Sequence, residues 1–192
     1  YVGSWDRTGL ALPGNDYAGD DLVDLRIGEP VTGIDRAART VTTATGARFG
    51  YDALVLATGS APFVPPIPGA DLDRCFVYRT LDDLDAIRAV AEKAGPGAAA
   101  VVVGGGLLGL EAANALRLLG LTPHIVERSP WLLPLQVDSG GGALLHRLVT
   151  ELGLTVHTGV ATEEIADTGD GVRTFEATRG VVLAHILTGN AE

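Results

Sequence analysis

AAAVVVGGGLLGLEAANALRLLGLTPHIVE, residues 98–127, has the pattern of a strand, a glycine turn, a helix and a second strand. The consecutive valines Val101–Val103 are typical of a strand that is buried on both faces. Apolar residues with helical spacing follow over Leu107–Leu119, and Gly120 stands where a left-handed C-terminal cap is expected. The second strand ends at Glu127. This stretch therefore predicts a strand–helix–strand unit of a parallel sheet.

The turn of this unit carries Gly104, Gly106 and Gly109, which are spaced as G-x-G-x-x-G. In a dinucleotide-binding unit the first glycine permits the tight turn, and the second lets the backbone approach a pyrophosphate. The third lets the helix and the strand pack closely. The helix N-terminus, at Leu107 and Leu108, offers unpaired N–H groups and a partial positive charge to the phosphates. The spacing predicts a dinucleotide site, with an ordinary glycine-rich turn as the alternative.

Glu127 occupies the place of the acid that binds a ribose in such units. It lies 18 positions after Gly109 (127 − 109), and about 20 are expected. A carboxylate there accepts a hydrogen bond from the 2′-hydroxyl and repels a 2′-phosphate, so NADH is favoured over NADPH. Arg128, the next residue, points the other way, and a plain surface charge is the alternative for Glu127.

The N-terminal part is interpreted as short β segments. Strands are predicted over Leu22–Ile27, Pro30–Ile34 and Thr40–Thr45, which indicates a β-meander. A further strand with a buried centre, Leu54–Leu56, ends in the small residues Ala57, Thr58, Gly59 and Ser60. Such an end can bring backbone close to a ligand, and a plain strand–turn junction is the alternative. The proline-rich connector 61–69 is the best candidate for a domain boundary.

Two more helices and several strands are predicted in the C-terminal part. An amphipathic helix over Thr80–Ala94 begins with Thr80 as its cap and Asp83 three residues on. A second helix over Gly140–Leu152 is expected to turn Leu144, Leu145, Leu148 and Leu152 inward. A strand is predicted over Thr155–Val160, and a hairpin is predicted from Glu163–Ala166 and Val172–Ala177 around Asp170-Gly171. The tail, Val181–Gly189, is interpreted as a strand, with a short helix as the alternative.

Composition narrows the class of protein. The chain of 192 residues has a net charge of −10, which argues against nucleic acid and anionic membranes as partners. No apolar run is long enough to span a membrane, and Cys75 alone forms no internal disulfide, so a cytoplasmic location and a core role for Cys75 are expected. The four histidines show no metal-ligand spacing, so no metal is predicted. Because the chain starts at Tyr1 and lacks methionine, we expect a fragment.

The motifs together resemble a known family. The strand ending in Ala57-Thr58-Gly59, the proline connector closing at Gly69 and the stretch GGGLLGLEAA (residues 104–113) are similar to the pyridine-nucleotide–disulfide oxidoreductases and their ferredoxin-reductase relatives. The resemblance implies that the Ala-Thr-Gly stretch lies against FAD and that the inner glycine motif binds NAD(P)H. Hydride then passes from the nicotinamide to the flavin.

Three stretches narrow the resemblance. CFVYRTLDDLDAI (75–87), GGGLLGLEAANAL (104–116) and LLPLQVDSGGGALL (132–145) resemble the large subunits of NAD(P)H-dependent assimilatory nitrite reductases. The likeness covers roughly residues 17–160. It implies an α/β fold: a Rossmann-like NAD(P)-binding domain with a parallel sheet over 70–192, and part of an FAD-binding domain over 1–69, which contains the β-meander and the strand ending in Ala57-Thr58-Gly59.

The resemblance also suggests roles for two side chains. Glu111, two residues past the third glycine, matches an acid that lies near the nicotinamide and the flavin, and is the candidate catalytic residue. Stabilisation of the helix dipole is the alternative. Arg79 lies between the domains and is expected to contact the flavin or the domain interface.

Parts of the family pattern are missing. The chain lacks the N-terminal G-x-G-x-x-G unit that holds the ADP half of FAD. A sirohaem and iron–sulfur domain needs a set of cysteines, and this chain has one. We therefore expect an electron-input module that serves an electron-acceptor domain or protein but does not itself reduce nitrite. The alternatives are a ferredoxin- or rubredoxin-type reductase and a truncated NAD-binding module without turnover, with homodimerisation left open.

Overall fold

The structure, a computed structural model, describes residues 8–10, 17, 20–169, 172–176 and 185–187. The chain divides into two compact units, the first ending at Gly59 and the second beginning at Ser60. Assignment of residues 1–69 to an FAD-binding part and 70–192 to an NAD(P)-binding part stays a prediction, because compactness does not report which cofactor a unit binds.

The first unit holds the predicted β-meander. Its three antiparallel strands are β1 (Val31–Asp35), β2 (Thr40–Thr43) and β3 (Arg48–Gly50), in the order β1-β2-β3. The turn from β1 to β2 is closed by Asp35, whose Oδ1 accepts hydrogen bonds from the amides of Ala37 and Ala38, each at 2.9 Å. The strands predicted over Pro30–Ile34 and Thr40–Thr45 are confirmed as β1 and β2, whereas the third strand of this meander, β3, was not predicted.

Two other predicted strands of this unit are wrong. Residues 22–27 and 54–56 have no strand structure, and several of their apolar side chains are open to solvent: Leu22 is 94% exposed and Val55 is 84% exposed. The meander strands pair with one another, and no strand of the described residues pairs with either segment. An apolar run predicts burial, but a strand also needs a neighbour for its backbone N–H and C=O groups.

The second unit is an α/β layer structure, as predicted. Its five parallel strands have the order β4-β10-β5-β6-β7, and a separate antiparallel hairpin pairs β8 with β9. The elements are β4 (Cys75–Val77), α1 (Leu81–Ala94), β5 (Ala99–Val103), α2 (Leu107–Leu118), β6 (Thr122–Glu127), α3 (Ser139–Glu151), β7 (Thr155–Thr158), β8 (Thr162–Asp167), β9 (Val172–Glu176) and β10 (His185–Leu187).

The core of this unit lies between the sheet and the helices. Buried residues of all three helices, among them Ile87, Leu116 and Val149, form one cluster with Val102 of β5 and Ile125 of β6. Helices α1, α2 and α3 therefore cover the same face of the sheet. The opposite face is lined by a second cluster around Val101 and Val126. Consecutive valines of β5 thus point to opposite faces and are all shielded, which explains the uninterrupted apolar run.

The ends of α1 and α2 follow their sequence signals. Thr80 caps α1 with its side chain, and Asp83 bonds back to the Thr80 amide at 2.7 Å, which completes the predicted capping box. Helix α2 gives way to Gly120, whose φ of +85° lies in the left-handed region that glycine adopts without strain. Both predictions are confirmed.

The buried face of α3 differs from the prediction. Leu144, Leu148 and Leu152 are about half exposed (48%, 47% and 57%), whereas Val149 is buried. Gly142 explains the rotation, since a Cβ at this position would lie 2.6 Å from the side chain of Trp131. The helix therefore turns its small residue toward Trp131, and Leu145, partly buried, packs against the core with Val149.

Strand β4 was missed, and the tail was predicted in part. From the sequence, Cys75 is predicted only to be a core residue. The structure places it half-buried in β4, with its thiol donating to the Gly69 carbonyl at 3.5 Å. Burial raises the pKa of this thiol to about 11, so it stays protonated. His185–Leu187 forms the predicted tail strand, while Thr188 and Gly189 lie outside the described residues, as do Asp170 and Gly171 of the confirmed hairpin.

The proline connector is part of the second unit. The carbonyl of Pro68 accepts a hydrogen bond from the amide of Ile165 in β8 at 2.8 Å. Gly69 has a φ of +82°, and a Cβ there would collide with the Ile165 backbone. The glycine that closes the connector is thus required by a close approach of two chain segments.

A histidine pair joins β6 to β7. Nδ1 of His124 lies 3.2 Å from Nε2 of His157, the ring planes are 9° apart and the ring centroids are 5.5 Å apart. The distance between the two ring centroids exceeds the distance between the two nitrogens. The difference is about twice the distance from the centre of an imidazole ring to one of its atoms. The two nitrogens therefore face each other along one line, which is the geometry of an N–H···N hydrogen bond.

Two kinds of feature are absent from the described residues. None of their helices has the length and apolar character needed to cross a membrane. Among the same residues, no group of three or more histidine, cysteine or acidic side chains is arranged to hold a metal ion.

Candidate functional site

The predicted site residues of the second unit gather at one edge of the parallel sheet. Val77 of β4 and Val103 of β5 both pair with Leu187 of β10, so the two strands end at the same level. Gly104 follows β5, and Glu127 ends β6 beside it. Open α/β sheets bind ligands outside the carboxyl ends of their strands, and this edge is that place.

The first two glycines of the turn are needed by the fold itself. Gly104 has a φ of +113° and donates its amide to the Val126 carbonyl at 2.8 Å, which extends the pairing of β5 with β6. Gly105 is buried, and a Cβ there would lie 2.6 Å from Leu132 and 2.9 Å from Glu127. A side chain at either position would disturb the turn.

Gly106 is different, because the fold gives no reason for a glycine there. It is the N-cap of α2, with φ −79° and ψ −175°, a conformation open to any residue. A Cβ at Gly106 would meet no atom within 4 Å. Neither strain nor internal packing therefore excludes a side chain, and the missing side chain leaves open space in front of the helix.

The N-terminus of α2 faces this space without a side-chain cap. Gly106 supplies no capping hydrogen bond, whereas Thr80 caps α1 and Asp138 caps α3. The amides of the first helical turn include those of Leu107, which is 60% exposed, and of Leu108. Gly109 is buried within α2. Uncapped amides at the positive end of a helix dipole suit a phosphate or another anion.

Glu127 is held by the backbone of the turn. Its Oε2 accepts the Gly105 amide at 2.7 Å, and its Oε1 accepts the Ser129 amide at 2.6 Å. Both carboxylate oxygens are thus fixed at the end of β6. A carboxylate has about four acceptor positions, so two remain for ligand hydroxyls. Arg128 is exposed beside it.

Glu111 lies on the exposed side of α2 and contacts a residue from another strand. The hydroxyl of Tyr78, which directly follows β4, donates to Oε1 of Glu111 at 3.3 Å. Burial, assisted by the Glu111 charge, raises the pKa of Tyr78 to about 12. The phenol therefore stays protonated at physiological pH and keeps its donor role.

The residues predicted to meet a flavin fall in both units. Ala57, Thr58 and Gly59 are exposed at the end of the first unit, and Gly59 has a φ of +71°. In the second unit, Arg79 donates its Nε to the Ser60 carbonyl at 3.1 Å. This hydrogen bond ties the Arg79 side chain to Ser60, the residue that precedes the proline connector.

Three residues of the site were missed by sequence reasoning. Gly105 packs beneath Glu127, Ser129 donates to it, and Tyr78 bonds Glu111. A third consecutive glycine, where the motif needs only two, was a readable signal for Gly105. Ser129 acts through its backbone, and Tyr78 meets Glu111 only through the order of the strands, so neither left a local signal.

This arrangement is the one expected of a dinucleotide-binding α/β unit, and comparison with known proteins identifies the family. A model of the pyridine nucleotide-disulphide oxidoreductases matches residues 13–187. The chain belongs to this family, whose members are NAD(P)H-dependent flavoprotein oxidoreductases.

Individual relatives narrow the likeness. The chain is 51% identical to the nitrite reductase [NAD(P)H] large subunit of Klebsiella oxytoca over 90% of its length, which is 18% of that relative. It is 38% identical to the ferredoxin reductase component of chlorobenzene dioxygenase from Cupriavidus over 76% of its length, or 35% of that protein. The crystal structure of the putidaredoxin reductase–putidaredoxin complex matches with a TM-score of 0.83 at 26% identity, over 97% of this chain and 46% of that one. The chain thus spans less than a fifth of its nitrite reductase relative.

Proposed function

We propose that this chain is the NADH-binding, electron-input part of an FAD-dependent oxidoreductase of the nitrite reductase type. The observation that carries the proposal is Gly106. Its missing side chain serves neither the backbone nor the packing, and it opens the N-terminus of α2 to a ligand. A pyrophosphate is the group that needs such an approach beside a ribose-binding acid.

Each half of the nucleotide has partners in the second unit. The amides of Leu107, Leu108 and Gly109 would hold the pyrophosphate, and the fixed carboxylate of Glu127 would accept the ribose hydroxyls. Because Glu127 presents negative charge where NADPH carries its 2′-phosphate, NADH is the expected substrate. Arg128 is exposed beside Glu127 and carries a positive charge. This charge lowers the discrimination against NADPH but does not reverse it.

The nicotinamide, when bound, supplies a hydride, and the flavin accepts it. The protein's contribution is to bind and orient both rings. Glu111 lies at the same sheet edge as the glycine turn, where the nicotinamide end of the nucleotide would be placed, and it is the proposed catalytic residue. The exposed small residues Ala57, Thr58 and Gly59 of the first unit would offer backbone to FAD, and Ser60 and Arg79 of the second unit are further candidate flavin contacts.

The electron acceptor is the point on which relatives differ. The greater identity, 51%, is to a nitrite reductase large subunit, so we favour an acceptor domain of the same parent protein. The ferredoxin reductase component at 38% identity supports a separate small electron carrier as the second candidate. A cytoplasmic location and homodimerisation are further proposals, and sedimentation tests the second.

The nucleotide preference is tested by substitution of Glu127. We expect Glu127→Ala to weaken NADH binding by about 1–3 kcal/mol, because the ribose hydroxyls lose their acceptor. NADPH binding should change less, so the preference for NADH should shrink. Parallel calorimetric titrations with NADH and NADPH measure both effects, with Glu151→Ala on the exposed end of α3 as the control. Equal NADH affinity in the Glu127 variant would refute the role of this residue.

A further inference from the structure

The contact between Tyr78 and Glu111 links two elements that the proposed function treats separately. Tyr78 follows β4, and Glu111 lies on α2, which begins after β5. Strand β10 lies between β4 and β5 in the sheet. The 3.3 Å hydrogen bond from the Tyr78 hydroxyl to the Glu111 carboxylate therefore reaches across the carboxyl edge of the sheet above an intervening strand.

The two partners differ in how firmly they are held. The Tyr78 side chain is partly buried and packs against the helix-side core together with Phe76. Glu111 is exposed, and a glutamate side chain has several rotatable bonds. An anchored ring that donates to a mobile carboxylate selects one of its rotamers before any ligand arrives.

We infer that Tyr78 is a positioning residue, which holds the Glu111 carboxylate in place for the nicotinamide end of the bound nucleotide. The inference rests on the proposed function, because it gives Glu111 a ligand to meet. Its physical basis is preorganisation: a side chain that is already ordered loses less entropy on binding. The adenine, ribose and pyrophosphate parts of the nucleotide bind at the glycine turn and Glu127, so they should not depend on Tyr78.

This separation gives the test. The wild-type chain, Tyr78→Phe, Glu111→Ala and the double variant are titrated by calorimetry with NADH and with ADP-ribose, which lacks the nicotinamide. Tyr78→Phe keeps the ring and its packing but removes the donor. We expect it to weaken NADH binding roughly threefold to tenfold and to leave ADP-ribose binding unchanged. In the Glu111→Ala background the same change should have no further effect.

Two controls keep the outcomes distinct. Tyr51→Phe, at a tyrosine of the first unit, should alter neither titration, and thermal melts monitored by circular dichroism establish that each variant is folded. If the wild type binds neither ligand, the proposed function fails. If the wild type binds both ligands, the inference is overturned when Tyr78→Phe changes NADH and ADP-ribose equally, changes neither, or acts additively with Glu111→Ala.

Discussion

At the scale of single residues, neighbouring glycines do different work. Gly105 gives its space to Leu132 and Glu127, and Gly104 adopts a left-handed backbone conformation. Gly106 does neither, and its open side faces outward. Of these three consecutive glycines, two thus build the turn, and we propose that the third leaves room for a ligand. All three glycines are visible in the sequence, but only the three-dimensional structure shows that each is there for a different reason.

The histidine pair gives a prediction about pH. Burial, assisted by the neighbouring His157, lowers the pKa of His124 below its ordinary value. The folded chain therefore takes up this proton less readily than the unfolded chain. Stability should be at its full value above the ordinary histidine pKa, about 6.5, and should be lost as pH falls through the lower pKa of the folded state.

Urea denaturation at a series of pH values from 8 to about 5 measures this effect. His124→Gln should flatten the lower part of the profile relative to the wild type, because the group that resists protonation is gone. The same substitution at His146, which lies on α3 outside the pair, is the control and should leave the profile as it is. Parallel profiles for the wild type and the His124 variant would refute the burial effect.

At the scale of elements, helix ends were more predictable than helix faces. The capping box of Thr80 and Asp83 and the left-handed Gly120 are local patterns, and both are present. The buried side of α3 depends on Trp131, which lies outside the helix and packs against Gly142. Leucine spacing alone could not reveal that contact. Strand β4 was missed for the same reason. It is only three residues long, and it pairs with β10, which lies about 110 positions later in the chain (185 − 75).

Adjacent residues of α3 test its corrected face. Val149→Ala should lower the free energy of unfolding by about 1–3 kcal/mol, since Val149 is 6% exposed and belongs to the core cluster. Leu148→Ala, at 47% exposure, should change it by no more than about 0.5 kcal/mol. Denaturant titration of both variants decides the matter. The opposite order would restore the leucine face that the sequence pattern favoured.

At the scale of the whole molecule, the two units differ in how well sequence predicted them. The α/β class and the strand–helix–strand unit were readable from the sequence, because both depend on contacts between neighbouring segments. In the first unit the segments around Leu22 and Val55 were predicted as strands, the second of them buried, but neither forms a strand and both side chains are exposed. The chain spans 18% of its nitrite reductase relative. An apolar composition indicates that a segment is suited to burial, but only the tertiary structure shows whether another segment covers it.

Gly106→Ser tests whether the open space at Gly106 is a nucleotide site. Serine is a preferred N-cap residue, so the variant should melt at the same temperature as the wild type or slightly higher. Its side chain would occupy the space that the pyrophosphate needs, so NADH affinity should fall by at least roughly tenfold. Gly105→Ala is the matched contrast, because it should lower the melting temperature through its clash with Leu132 and Glu127.

The decisive measurement is the calorimetric titration of folded Gly106→Ser with NADH beside the wild type. Unimpaired stability together with lost NADH binding is the predicted result. A folded Gly106→Ser chain that binds NADH as tightly as the wild type would contradict the assignment of this turn as the nucleotide site.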